Sequence, residues 1–464
     1  MLRPQHMDQI FAILTASRPD LRFIPGTIPL TPLAAVLPPL TYYLALILLP
    51  PFPSHPNQKL ISVFRSVLAV IAGALFFRLP LRYHIPFSVG LTYQLALVGL
   101  YGGCRVLDAF FISPYLFGHI PRRVKYHQKP RWETPGVWRH RALSNSYYNL
   151  HFLQPRKAAV TEIATTDEGL PESWRDRASW ALELELAMRG AGFTWTSADV
   201  RHSKKTWTPT AWDRVHSILL HVLPALSASF ATIRFIYVGD LKGEGDLSLP
   251  FDDLSFPKQL LLTAALGGFL MTGFSLAHSI FAIMLAPLNP HPLSYFPPLY
   301  TTRIWDLTSV RSFWSYGWHR LFSRLFLVYG VWPGEWIERK ITGKSAGEAA
   351  DVGKVLGGFV SSAFVHSFAA HTVVGGSVGE ALGEAEFFAG CGIAVVAEEI
   401  VKRSMQRFRR RHKHNVDGDK ANCSDRWYDG VVGRVWWIAV LLYNGRHFAR
   451  GWVKAGLVRE MAGA

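Results

Sequence analysis

An apolar stretch, VLGGFVSSAFVHSFAAHTVV (355–374), carries no formal charge but holds Ser361, Ser362, His366, Ser367 and His371. Histidine titrates near neutrality, and low-dielectric surroundings keep it neutral and able to accept a proton. Ser362 and His366 are four residues apart and share one helical face with Phe359, one turn earlier. His371 lies five residues beyond His366, roughly 140° around a helix, so it faces elsewhere. The chemistry on offer is general base catalysis by His366, with Ser362 orienting the ring. Spacing alone fits equally a packing histidine satisfied by a neighbouring serine. A second constellation, SVRSFWSYGWHRLF (309–322), packs aromatics, arginines and a histidine into a segment too polar to cross a bilayer. On a helix Trp314 and Trp318 share a face, near Arg311 and Phe322, and His319 points off it. Trp and Arg anchor proteins at membrane interfaces. A guanidinium beside aromatics also suits a nucleotide and its phosphates.

These residues need elements to position them, and the apolar residues supply a pattern. Of 464 residues, 49% are hydrophobic and 18% charged. The apolar ones come in long blocks, near the roughly 20 residues that a bilayer core requires. Eight candidate spans lie at about 31–50, 59–77, 87–112, 215–238, 258–287, 354–374, 386–401 and 431–449. The expected fold is an all-α, polytopic membrane protein. A soluble protein with buried helices is the alternative, but so many blocks are hard to hide in one soluble core. No charged start, apolar run and small-residue cleavage site opens the chain, so the first span is expected to act as an internal targeting signal. Cys104, Cys391 and Cys423 are scattered, and no spacing suggests a metal site or a disulfide framework.

The formal net charge is +16, concentrated in particular loops. PRRVKYHQKPR (121–131) follows the third span, RHSKK (201–205) precedes the fourth, and KRSMQRFRRRHKH (402–414) follows the seventh. DLKGEGDLSLPFDD (240–253), between spans four and five, is mostly acidic. Loop Lys and Arg favour the cytosol. Counting crossings then places all three basic loops and the 309–322 segment on the cytosolic side, although RLPLRYH (78–84) puts two arginines opposite. The chain divides into spans one to three (1–112), a cytosolic basic loop (113–213), and a core of spans four to eight (214–464) with the motif segment at 303–330. Within the loop, WRDRASWALELELAMRG (174–190) has the periodicity of an amphipathic helix, with Trp180, Leu184 and Met188 on its apolar stripe. Such a helix would lie on the rest of the protein or on the membrane surface.

Phe313-Trp314-x-x-x-Trp318-His319, followed one span later by Phe359-x-x-Ser362-x-x-x-His366, resembles the wax synthase branch of the membrane-bound O-acyltransferases. Ala363 stands where that family usually has Gly. MRGAGFTW (188–195) and RVWWIAVLLYNGRHFARGW (434–452) look like further elements of its fungal members. The resemblance runs from about residue 90 to the C-terminus. It implies an enzyme of the endoplasmic reticulum membrane that moves an acyl group from acyl-CoA to an alcohol. His366 and His319 would be the catalytic residues, His366 as the base and His319 helping to position donor or acceptor, with Ser362 in support. Arg311, Phe313, Trp314 and Trp318 would form the acyl-CoA mouth. No metal, no bound cofactor and no nucleic acid partner is implied. The fungal likeness points to acetyl transfer from acetyl-CoA to a terpenoid or meroterpenoid alcohol. A wax-ester synthase acting on a long-chain alcohol is the alternative. A transporter, in which polar residues within spans would also fit, is a third reading, though no internal repeat supports it.

Overall fold

In the computed structural model the described residues are 22–52, 56–129, 162–167, 169–187, 189–190, 192–195, 211–243, 249–285, 299–300, 304–345, 348–414 and 427–463. Met188, Cys423 and the basic run 201–205 lie outside them. The protein is helical, with only two two-stranded sheets among the described residues. One pairs β1 (Ile28–Pro29) with β2 (Tyr83–His84), and the other pairs β3 (Val124–Lys129) with β4 (Glu162–Asp167).

Each apolar block becomes a helix. In order they are α1 (Pro32–Ile47), α2 (Gln58–Arg82), α3 (Val89–Phe117), α4 (Trp174–Leu186), α5 (Ala211–Leu241), α6 (Phe256–Leu285), α7 (323–342), α8 (Asp351–His371), α9 (Val378–His414), α10 (Trp427–Lys454) and α11 (Leu457–Met461). Five of them, α2, α3, α5, α6 and α8, are long and apolar enough to cross a membrane. The expectation of eight spans is therefore met only in part. α1 has 16 residues, the apolar run of α9 lies between Glu386 and Glu398, and α10 carries Arg434, Arg446 and Arg450. The expected basic loop 402–414 is instead the continuation of α9, which runs 37 residues without a break.

Apolar side chains point outward as often as inward, as a bilayer solvent allows. Leu60, Val63, Phe64, Val67 and Val70 of α2 are all exposed. α3 is the inner helix, with 61% of its apolar window buried against 6% for α5. Ser88 caps α3 by accepting from the Leu91 amide, and the Glu460 carboxylate accepts from the Val89 amide at 2.6 Å. Both satisfy amides that a helix start leaves open.

α8, which carries His366, is held to α7 by backbone contact. A Cβ added at Gly334 would meet the Gly353 carbonyl, and one at Gly357 would meet the Gly330 carbonyl. Two facing small-xxx-small steps let the helix backbones touch. α4, expected to lie on the rest of the protein or on the membrane surface, lies on the protein: it buries Trp180, Ala181 and Leu184 in one cluster with Tyr42, Leu46, Phe76 and Phe110 of α1 to α3. A further tie comes from Arg324 of α7. Its guanidinium donates to Asp108 of α3 at 2.7 and 3.1 Å and to Ser113 at 2.8 Å.

Candidate active site

The 309–322 segment starts as a helix. Ser309 caps it by accepting from the Ser312 amide at 2.9 Å, and Glu398 of α9 accepts from the Val310 amide at 2.8 Å. It tightens no further: residues Phe313–Gly317 form a single π turn, and Trp318 leaves it with extended backbone, φ −108° and ψ 157°. The expected shared helical face of Trp314 and Trp318 is thus not what brings them together. Their rings meet edge to face across the turn, with centroids 6.0 Å apart. The same exit swings His319 inward, so it does not point away from the tryptophans. π turns occur often at functional sites.

Phe313 stacks on Trp437 of α10, with centroids 5.5 Å apart and planes 18° from parallel. Trp314 packs on Phe359 of α8 and on Phe387 and Phe388 of α9. The aromatics therefore clamp three helices around one space. It is a cavity of about 440 Å³, and Tyr93, Phe313, Trp314, Trp318, His319 and His366 are on its wall. Most of the rest of that wall is apolar or glycine, from α6, α9 and α10, with Gln94 and Arg434 among the exceptions.

His366 stacks on Phe388 at 4.8 Å, and its Nδ1 lies 3.0 Å from the Tyr93 hydroxyl of α3. That leaves Nε2 as the ring nitrogen available to a molecule in the cavity. Ser362, expected to orient His366, is buried, and among the described residues no hydrogen bond joins the two. Tyr93 makes that bond instead. His319 is enclosed by Phe274, Trp318 and Phe322, and its Nδ1 is buried without a hydrogen-bond partner among the described residues. Burial first, then His366 and Arg189, push the His319 ring down to about 3, so it is neutral at physiological pH. His371 is not on the cavity wall; its ring lies beside Gly376 at the end of α8.

Arg311 is also away from the cavity. It is exposed and pairs with Glu399 of α9 at 3.2 Å. The structure thus brings together Phe313, Trp314, Trp318, His319 and His366, and leaves Arg311 and Ser362 apart from them. Sequence reasoning missed Tyr93, Glu384 and Trp452. Tyr93 belongs to no motif, and Trp452 closes the 434–452 element without being singled out within it. Glu384 carried a signal, since a carboxylate just ahead of an apolar run is costly to bury without a purpose.

Residues 296–389 match the family described as membrane bound O-acyl transferase. The matched segment contains the 309–322 motif, all of α8 and the first turns of α9, which is most of the cavity's histidine-bearing wall. The match supports a membrane O-acyltransferase with acyl-CoA as its donor. None of the curated proteins matches the chain.

Proposed function

We propose that the protein transfers an acetyl group from acetyl-CoA to a hydroxyl of a hydrophobic terpenoid or meroterpenoid alcohol. One observation carries the reading: a largely apolar cavity of about 440 Å³ has two histidines, His366 and His319, on its wall. It has roughly three times the ~150 Å³ that accommodates a single benzene in an engineered protein cavity. A fused-ring alcohol fits that space, and an apolar wall favours it by burial.

The steps are few. The acceptor hydroxyl sits against His366 Nε2 and gives up its proton as its oxygen attacks the thioester carbonyl. The C–O bond forms, the carbonyl becomes a tetrahedral oxyanion, and the C–S bond then breaks. CoA leaves as a thiolate and takes the proton from the His366 imidazolium. Neutral His319 holds donor or acceptor in line by hydrogen bonding. Phe313, Trp314 and Trp318 form the donor mouth. The reading places the protein in the endoplasmic reticulum membrane, with the 309–322 segment and the basic runs facing cytosolic acetyl-CoA.

The test uses microsomes containing the protein, radiolabelled acetyl-CoA and a panel of terpenoid alcohols. Label is expected in an ester of at least one polycyclic acceptor. Parallel reactions pair palmitoyl-CoA with hexadecanol. If only the long-chain ester forms, the enzyme is a wax synthase and the acetyl reading is wrong.

A further inference from the structure

Four helices meet behind His366. Its Nδ1 is 3.0 Å from the Tyr93 hydroxyl of α3, and that hydroxyl is 3.5 Å from Glu384 Oε1 of α9. The same Oε1 accepts from the Trp452 indole N–H of α10 at 2.9 Å. Tyr93, Glu384 and Trp452 are 4%, 3% and 4% exposed, so solvent does not intervene. We propose that Glu384, acting through Tyr93, sets the tautomer of His366 and thereby leaves its Nε2 bare to act as the base. For its kinetic consequences this rests on the acyl-transfer reading; for its geometry it does not.

The number of hydrogens available decides the tautomer. Indole is only a donor, and a tyrosine hydroxyl has one hydrogen to give. When Tyr93 gives that hydrogen to Glu384, its oxygen has only lone pairs to turn toward His366. Nδ1 must then carry the ring hydrogen, and Nε2, on the cavity side, is unprotonated. In the reverse arrangement Tyr93 donates to Nδ1, the ring hydrogen moves to Nε2, and the base faces the alcohol already protonated. Glu384 Oε1, which already accepts from the Trp452 indole, has no hydrogen to return to Tyr93 and so selects the first arrangement. The partner of a histidine's second nitrogen decides its tautomer in this way.

Stability does not account for Glu384. Its Oε2 is buried with no hydrogen-bond partner among the described residues. Burying a carboxylate half-satisfied costs free energy, and such a group calls for a functional explanation. The relay is also held rigidly, because Tyr93 packs edge to face on Trp452 at 5.9 Å and His366 stacks on Phe388. During transfer no net charge moves along it. Nε2 gains and then returns the substrate proton, while Nδ1 keeps its hydrogen bonded to Tyr93. Tyr93 and Glu384 are positioning residues, since neither needs to touch the reacting atoms.

The test reads the tautomer directly. The full chain, labelled with ¹⁵N-histidine and reconstituted in bilayers, is examined by solid-state NMR, and the His366 signals are those missing from His366→Gln. Wild type should show a protonated Nδ1 and a bare Nε2. Tyr93→Phe and Glu384→Gln should each move hydrogen onto Nε2, the second because an amide can donate to the Tyr93 oxygen and turn its hydroxyl toward Nδ1. Both changes are nearly isosteric. Each should lower kcat on the order of 100-fold with the alcohol KM within about twofold, a smaller loss than the ~10⁴-fold when a triad carboxylate in direct contact becomes an amide. A wild-type signal with hydrogen on Nε2, or variants that leave the ring nitrogens unchanged, would overturn the proposal. An Nδ1–H wild type that moves no acetyl group to any alcohol upholds the relay and sinks the proposed reaction instead.

Discussion

Gly267 of α6 offers the sharpest test of what the cavity holds. It is on the cavity wall, and a Cβ added there would meet nothing within 4 Å. Gly267→Phe therefore starts its side chain in open space at the cavity wall, and replacing an interior helical glycine does not weaken α6. The cavity of about 440 Å³ has room for roughly three benzene-sized groups at ~150 Å³ each, so one added ring removes about a third of it. A polycyclic alcohol then loses the burial of one ring, worth about 2 kcal/mol, or roughly 30-fold in kcat/KM. A short linear alcohol keeps its room and should change by no more than about twofold. The assay is competition between the two acceptors for radiolabelled acetyl-CoA in microsomes, at matched expression. Gly445 supplies the contrast, since its added Cβ would lie 2.6 Å from Thr263 Cγ2. Gly445→Ala should push α10 from α6 and lower yield for both acceptors alike. If Gly267→Phe folds and leaves the acceptor ratio within threefold of wild type, the cavity is not the acceptor site.

Other changes separate base, packing and anchor. His366→Ala should lose about 10²–10⁴ in kcat, read as initial rates of ester formation with the protein level checked by immunoblot. His371→Ala, off the cavity wall, should keep at least a third of the activity, a barrier change under about 1 kcal/mol. Ser362→Ala should resemble it, because Tyr93 and not Ser362 bonds His366; a dead Ser362 variant would refute that placement. Trp318→Ala should raise the KM for acetyl-CoA, while Arg311→Ala, whose partner is Glu399 outside the cavity, should leave both KM values near wild type. Asp108→Ala leaves the Arg324 guanidinium without its carboxylate partner and with only Ser113, and breaking a buried pair costs about 3–5 kcal/mol; the melting temperature in detergent should fall markedly with Asp108→Ala and much less with Arg311→Ala.

Much of the fold is legible in composition, because a helix in lipid satisfies its own backbone and needs only an apolar run. All eight runs are helical, and the small residues of α8 do permit the close packing that their pattern suggests. The errors are local. KRSMQRFRRRHKH reads as a loop because charge interrupts apolarity, yet nothing in it breaks a helix, and α9 passes through it. SVRSFWSYGWHRLF reads as regular helix because its aromatics fall four apart. The π turn that ends at Gly317 is set by tertiary contacts, among them Leu307 against Gly317 and Trp437 against Phe313. Ser362 reads as the partner of His366 because the two are one turn apart. The actual partner is 273 positions away in the chain, and no periodicity reports a contact between α3 and α8.

That distance in sequence bears on how a base can work inside a membrane protein. A histidine and a serine on one helix move together, so neither can fix the other against rotation of the helix. Tyr93, Glu384 and Trp452 come from three other helices, and they fix the ring against α8 itself. α8 is in turn pinned to α7 by backbone contact at Gly334 and Gly353, and α7 is tied to α3 through Arg324 and Asp108. The loop of support closes, because α3 carries both Asp108 and Tyr93. A reacting geometry is sensitive to displacements of an ångström, and a closed ring of contacts through α3, α7 and α8 resists them better than any pair on one helix. The inner position of α3 suits the proposed role of His366: it is the helix that touches both that ring, through Tyr93, and its scaffold, through Asp108.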